Sequence, residues 1–304
     1  DPAFIRCLAA EKSMDISGIF DENGKYKFDG FNEFLTTYEN ATQALKSPED
    51  FKRLTQSVLE NLAENNVVYA ETFISPDFCG DRDLGAWREY LAAMREAHVE
   101  GVTLRGIVTC IRHLGPEKAR EAAFCAAETA GDWVVGFGMA GAENVGRAKD
   151  YSYSFDMARE AGLRLTSHAG EWCGAESVWE TLRDLRVERI GHGVHSINDP
   201  KLVEHLAETG VALEINPGSN VALGVYPSWI DHPIKRLRDA GVKVTVSTDD
   251  PPFFNTTMTR EFEELESAYG WGAEDFKVLN ETALEVAFCD LDTKEVISKR
   301  LEAL

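Results

Sequence analysis

The sequence predicts an α/β chain folded as a closed (β/α)8 barrel of the TIM type with extra helices. Three observations carry that prediction. From residue 67 onward, short β-branched or apolar runs alternate with amphipathic stretches of helical period. Glycines punctuate the alternation: Gly101, Gly131, Gly162, Gly210 and Gly241 each stand one to three residues before a strand. No Pro/Gly/Ser-rich linker or shift of composition interrupts the chain. Its 304 residues, 44% of them hydrophobic, therefore read as a single domain, 1–304, around one large core.

In chain order, the strands are expected at Val67 to Ile74, Thr103 to Ile111, Trp133 to Gly138, Leu163 to Ser167, Arg189 to Gly191, Val211 to Asn216 and Val242 to Ser247. The helices between them are expected at Ala86 to Glu100, Pro116 to Thr129, Asp150 to Ala161, Glu176 to Leu185 and Pro200 to Thr209. Helical patterns at about 31–46 and 48–65 read as N-terminal insertions, either a lid or a cover, and those at 259–269 and 274–288 as a C-terminal cover. Seven strands are one short of a closed barrel. Because the chain opens on a helical pattern (Pro2, Phe4, Ile5, Leu8, Ala9), the first strand is expected upstream of Asp1. The alternative is a weak strand hidden in 17–29.

The charge of −21, from 52 acidic and 31 basic residues, repels phosphate backbones and anionic lipid. It argues against nucleic acid and membrane partners and leaves a neutral or cationic small molecule. Cys7, Cys79, Cys110, Cys125, Cys173 and Cys289 form no Cys-x-x-Cys pair, which fits reduced thiols in a cytoplasmic enzyme. No apolar run approaches the roughly 18 residues that span a bilayer.

A barrel of this kind carries its chemistry at the carboxyl ends of its strands. There the sequence places His168-Ala169-Gly170-Glu171, then Gly191-His192-Gly193, then Asp249-Asp250-Pro251. Imidazole and carboxylate are ligands for zinc-like ions, and a nearby carboxylate such as Glu171 can move a proton. Each group has a plainer reading. Asp249-Asp250 can cap a helix, Gly170 can serve a turn, and His98, His113, His195, His205 and His232 can all be structural. Convergence of three strand ends favours a site. Ser75-Pro76-Asp77, after the first visible strand, either lines its mouth or is a simple turn.

These residues resemble the adenosine deaminase family, the adenosine and adenine aminohydrolases of the amidohydrolase superfamily. The resemblance runs from about residue 30 to the C-terminus. It rests on Ser167-His168-Ala169-Gly170-Glu171, Arg189-Ile190-Gly191-His192-Gly193 and Ser247-Thr248-Asp249-Asp250-Pro251, with Pro217-Gly218-Ser219-Asn220 and Met139-Ala140-Gly141 in support. It implies that His168 and Asp249 ligate zinc, one ion per chain. It further implies that Glu171 protonates purine N1, His192 orients the attacking hydroxide, Asp250 bonds N7, and the Gly141 N–H meets N3. The family's first strand carries a His-x-His pair and a following acidic residue, whereas no His precedes His98 here; Gly138 also replaces an acidic residue common in relatives. The resemblance implies deamination of adenosine or deoxyadenosine, because Phe253-Phe254-Asn255-Thr256-Thr257 is more similar to the adenosine-acting branch. The alternatives are an adenine or modified-adenosine deaminase, or a non-catalytic purine-binding homologue.

Overall fold

The structure, a computed structural model, describes residues 1–302. All seven expected strands are present: β1 (Tyr69–Ile74), β2 (Thr103–Ile111), β3 (Val134–Ala140), β4 (Arg164–Ala169), β5 (Arg189–His192), β6 (Ala212–Ile215) and β7 (Val244–Val246). They pair in parallel in the order β1-β2-β3-β4-β5-β6-β7, as a curled sheet whose outer edges on β1 and β7 have no strand partner among the described residues. Residues 17–29 add no barrel strand. Ser17–Ile19 is one 3-10 turn, and Asp21 caps the backbone of Asn23 and Lys25, so the segment folds on itself into a single antiparallel bridge, Phe20 to Tyr26.

The helices are α1 (Pro2–Glu11), α2 (Gly30–Thr42), α3 (Pro48–Glu64), α4 (Leu84–Glu96), α5 (Pro116–Ala127), α6 (Ser152–Glu160), α7 (Ala175–Leu185) and α8 (Pro200–Thr209). They continue as α9 (Pro217–Ala222), α10 (Ile234–Asp239), α11 (Pro251–Phe254), α12 (Met258–Tyr269), α13 (Ala273–Val286) and α14 (Leu291–Glu302). Local chemistry sets their ends. Asp199 caps α8 by accepting from Lys201 N, Pro200 takes the first turn, and Gly210 closes the helix in the left-handed region. Helix α14 was not expected from periodicity, because its stretch is polar and buries only Ile297 fully. No helix among the described residues is long and apolar enough to cross a membrane.

Strand alternation sorts the sheet into two faces. Leu165, Ile190, Leu213, Ile215 and Val244 are buried in the layer beneath the helices, each contributing roughly 1.5–3 kcal/mol by leaving water. The opposite, inner face carries Glu71, Thr166, Arg189 and Glu214. Arg189 contacts Glu71 at 2.7 Å and Glu214 at 2.5 Å, and Thr166 donates to Glu214 at 2.8 Å. The Arg189 Nε–H is not aligned with its Glu214 oxygen, so that contact is ionic without being a hydrogen bond. Phe288 closes this floor, lying 3.5 Å beneath the guanidinium, and its N–H donates to Glu71. One residue pair further up the same face, His168 and Gly191 begin the rim.

Helices α2 and α3 have different jobs. Helix α3 packs Phe51 onto Tyr90 of α4 as a cover. Helix α2 points Phe34 at Phe254 and Phe31 at Trp172, so it borders the rim beside Glu171.

Candidate active site

The ends of β4, β5 and β7 bring His168, His192 and Asp249 together, with one ligand-type atom from each lying within 4.8 Å of the others. The His168 and His192 ring centroids are 4.9 Å apart. That proximity requires Gly191: a Cβ there would sit 2.7 Å from His168 Nδ1. His192 and Asp249 hold positive φ, 60° and 57°, a strain of about 1–3 kcal/mol each in a non-glycine residue, here spent aiming both side chains into one space. Ser219, in the first turn of α9, donates to Asp249 Oδ2 at 2.6 Å and secures that aim.

Glu171 sits in the turn after β4 with its carboxylate 3.7 Å from His192 Nδ1. The turn is held by Glu143, which is buried and accepts the backbone N–H groups of Gly170, Glu171, Trp172 and Cys173 together with the Ser177 hydroxyl. Burial works against Glu143's charge, yet these donors win and its pKa lies below the ordinary value. Because Glu143 follows Gly141 by two residues, one carboxylate ties the loop after β3 to the turn after β4. Gly141 itself has φ +99, and a Cβ there would lie 2.8 Å from His113 Nδ1, so only glycine fits.

The rim is strongly anionic. No lysine or arginine pairs with Glu143, Glu171, Asp249 or Asp250 among the described residues; they neighbour one another and the His192 ring, while Glu261, further out, feels the Arg260 charge. Burial, then Asp249 and Glu143, push the Glu171 pKa well above the carboxylate range. Burial and Asp249 do the same to Asp250. Burial pushes Glu261 up to about 7, although it accepts from Thr256 and Gly218 N. Burial also lowers His192 to about 4, so its ring is neutral at pH 7 despite Asp249 nearby. An imidazole nitrogen from His168 and a carboxylate oxygen from Asp249, beside further acidic groups with no lysine or arginine paired to them, fit a divalent, zinc-like cation.

Of the five histidines given a structural reading, none joins this group. His98 is exposed, His205 packs at a tilt against Trp179, His195 meets the Gly170 carbonyl and His113 packs under Gly141. His232 is two hydrogen bonds from His192. Ser75-Pro76-Asp77 is a closed turn: Ser75 donates to Asp77, whose carboxylate pairs with Arg82, so neither is free for a ligand. Sequence reasoning missed Glu143, Asn216, His232 and Glu261. Only the Ala-Gly-x-Glu spacing after β3 could have flagged the first; the others act through contacts made by distant chain segments.

A family model described as adenosine deaminase matches residues 14–304. The chain belongs to the adenosine deaminase family. Its reaction class is hydrolytic deamination of a purine. Among its relatives is a protein of Agrobacterium fabrum named adenine deaminase, 46% identical over 99% of this chain and 93% of its own length. Another of that name, from Rhizobium rhizogenes, is 44% identical over 99% and 94%. The crystal structure of adenine deaminase from Arthrobacter aurescens superposes with a TM-score of 0.88 at 27% identity, covering 100% of this chain and 94% of that one. An amidohydrolase from Burkholderia ambifaria, with bound Zn, shares the fold with a TM-score of 0.85 at 23% identity, over 99% and 86% of the two chains.

Proposed function

We propose that this chain is a metal-dependent adenine deaminase that hydrolyses adenine to hypoxanthine and ammonia. The observation that carries the reading is the anionic rim of His168, Glu171, His192, Asp249 and Asp250 in a chain whose near-full-length relatives at 46% and 44% identity are named adenine deaminase. This reverses the order of substrates drawn from sequence, which put adenosine first on Phe253 to Thr257. In the structure, Phe253 stacks on Tyr26 at 4.0 Å and Phe254 packs against Phe34, so that segment is occupied with packing. The family and its reaction class favour an enzyme over a non-catalytic purine binder.

His168 and Asp249 would hold the ion, zinc by the chemistry of the donors. When bound, it supplies the Lewis acidity that makes water nucleophilic at neutral pH. Glu171 retains its proton because burial and neighbouring carboxylates raise its pKa, and it delivers that proton to ring N1, drawing electrons from C6. His192 orients the water that adds to C6. Asp250, kept protonated by burial and by Asp249, is an O–H donor for the N7 lone pair. The Gly141 N–H donates to N3. Glu171 then takes one proton from the adding water and passes it to the exocyclic nitrogen, which leaves as ammonia, and it recovers its own proton from the C6 hydroxyl as that becomes the carbonyl of hypoxanthine. The six unpaired cysteines, four of them buried, support a reducing, cytoplasmic setting.

The test is steady-state turnover of adenine, adenosine, deoxyadenosine and 6-aminofutalosine-type nucleosides by zinc-loaded protein. The expected result is the highest kcat/KM for adenine. A higher value for any nucleoside would reassign the substrate.

A further inference from the structure

The hydrogen-bonding polarity of His192 is set from outside the site. The chain of contacts starts at the backbone N–H of Ile234, which donates to His232 Nδ1 at 3.2 Å. A main-chain N–H can only donate, so His232 carries no proton on Nδ1. The buried ring is neutral, its pKa lowered to about 3 by burial, and its single proton therefore sits on Nε2. Nε2–H donates to Asn220 Oδ1 at 3.0 Å. That bond orients the Asn220 amide and turns its NH2 toward His192 Nδ1, 3.2 Å away. An amide NH2 can only donate, so Nδ1 of His192 is an acceptor.

A second amide gives the same answer independently. Asn216 Nδ2 donates to the Glu214 carbonyl at 3.3 Å and stands 3.5 Å from the same Nδ1. The Glu171 carboxylate, at 3.7 Å, is beyond hydrogen-bond reach of that atom. His192, Asn216, Asn220 and His232 are all buried, so no bulk water can substitute for a partner facing the wrong way.

We infer that His232, Asn220 and Asn216 are positioning residues that lock His192 in its Nε2–H tautomer, so that toward the reacting centre the ring is a hydrogen-bond donor and neither a base nor a metal ligand. The inference rests on the proposed function only in placing the reacting water at Nε2. That atom points toward Asp249 Oδ2, 3.7 Å away, a gap that a bridging water oxygen can serve. Reversing the tautomer would set the His192 Nδ1–H against two amide NH2 groups. Turning Asn220 to relieve this would set its NH2 against the His232 Nε2–H, and so on back to a main-chain N–H that cannot invert. His168 and Asp249 are left as the ligands of the three-residue group, and the water's proton must leave by way of Glu171.

The test is 15N NMR of the histidine rings in zinc-loaded protein, with His192 assigned from the signals lost in His192→Asn. The expected result is a protonated Nε2 and bare Nδ1 on both His192 and His232. A proton on His192 Nδ1 would overturn the proposal. Asn220→Asp supplies an acceptor to both rings, so it should move the His192 proton to Nδ1 and lower kcat about tenfold or more with KM little changed. His232→Phe should lower kcat similarly, and His232→Gln, which keeps an N–H donor for Asn220, should restore most of it. Equal losses in both His232 variants, with the Nε2 proton retained, would mean a packing role and overturn the relay. If neither adenine nor any nucleoside is turned over while the Nε2 proton is in place, the proposed function fails and the tautomer assignment stands.

Discussion

At the floor of the barrel, Glu71 and Glu214 share one cation, Arg189, which burial disfavours but the two carboxylates hold firmly protonated. At the rim, one residue pair higher on the same face, Glu171, Asp249 and Asp250 share the space with no lysine or arginine, and two of the three have raised pKa values. Both regions bury carboxylates, but only the floor neutralises them from within. Internal pairing makes a rigid plug, and its omission leaves a place where charge must come from protons or from a bound cation. The rim also carries the positive-φ residues His192 and Asp249, so strain and uncompensated charge coincide where chemistry is proposed.

Removing single groups sharpens that contrast. Glu171→Gln should cut turnover by about 10²- to 10⁴-fold while zinc content by elemental analysis stays at one per chain, because it removes the proton carrier and no ligand. Undiminished turnover would end that role. Arg189→Met should instead cost about 3–5 kcal/mol in denaturant unfolding, since it leaves two buried carboxylates unpaired at the floor. A smaller loss than that of a surface arginine variant would erase the distinction between the two regions.

Metal should act on the rim alone. Zinc at about 100 times its dissociation constant should add roughly 2.7 kcal/mol to stability, and the gain should vanish in Asp249→Asn but persist in Arg189→Met. Glu143→Gln keeps the shape but replaces an acceptor oxygen with a donor amine facing backbone N–H groups. It should lower kcat about tenfold and speed amide exchange at 170–173, with little change at the floor.

Acid sensitivity tests the buried ring behind the rim. His232 has a folded pKa of about 3 against 6.5 when unfolded, so between those values the unfolded chain binds more protons and stability falls as pH falls. The slope is up to roughly 1.4 kcal/mol per pH unit for this ring, and His232→Gln should flatten it in unfolding measured between pH 6.5 and 4.

The strands and most helices were legible because a buried parallel sheet demands continuous apolar runs and each returning helix needs a stop, supplied at Gly210 by a left-handed cap. Helix α14 was not, since its polar stretch buries one side chain completely. At the site, His168, His192 and Asp249 were legible because strand ends are where this architecture displays polar groups. Glu143, Asn216, His232 and Glu261 were not, because their roles exist only as contacts between segments far apart in sequence. Nothing local to His232-Pro233 distinguishes a structural imidazole from the donor that orients Asn220.

The central claim is that the rim is a cation site serving deamination. Its most direct test is hypoxanthine production from adenine after chelation and then after stepwise return of zinc. The account predicts that activity disappears with the metal and returns in proportion, saturating at one equivalent per chain. Full turnover in the chelated protein would contradict it.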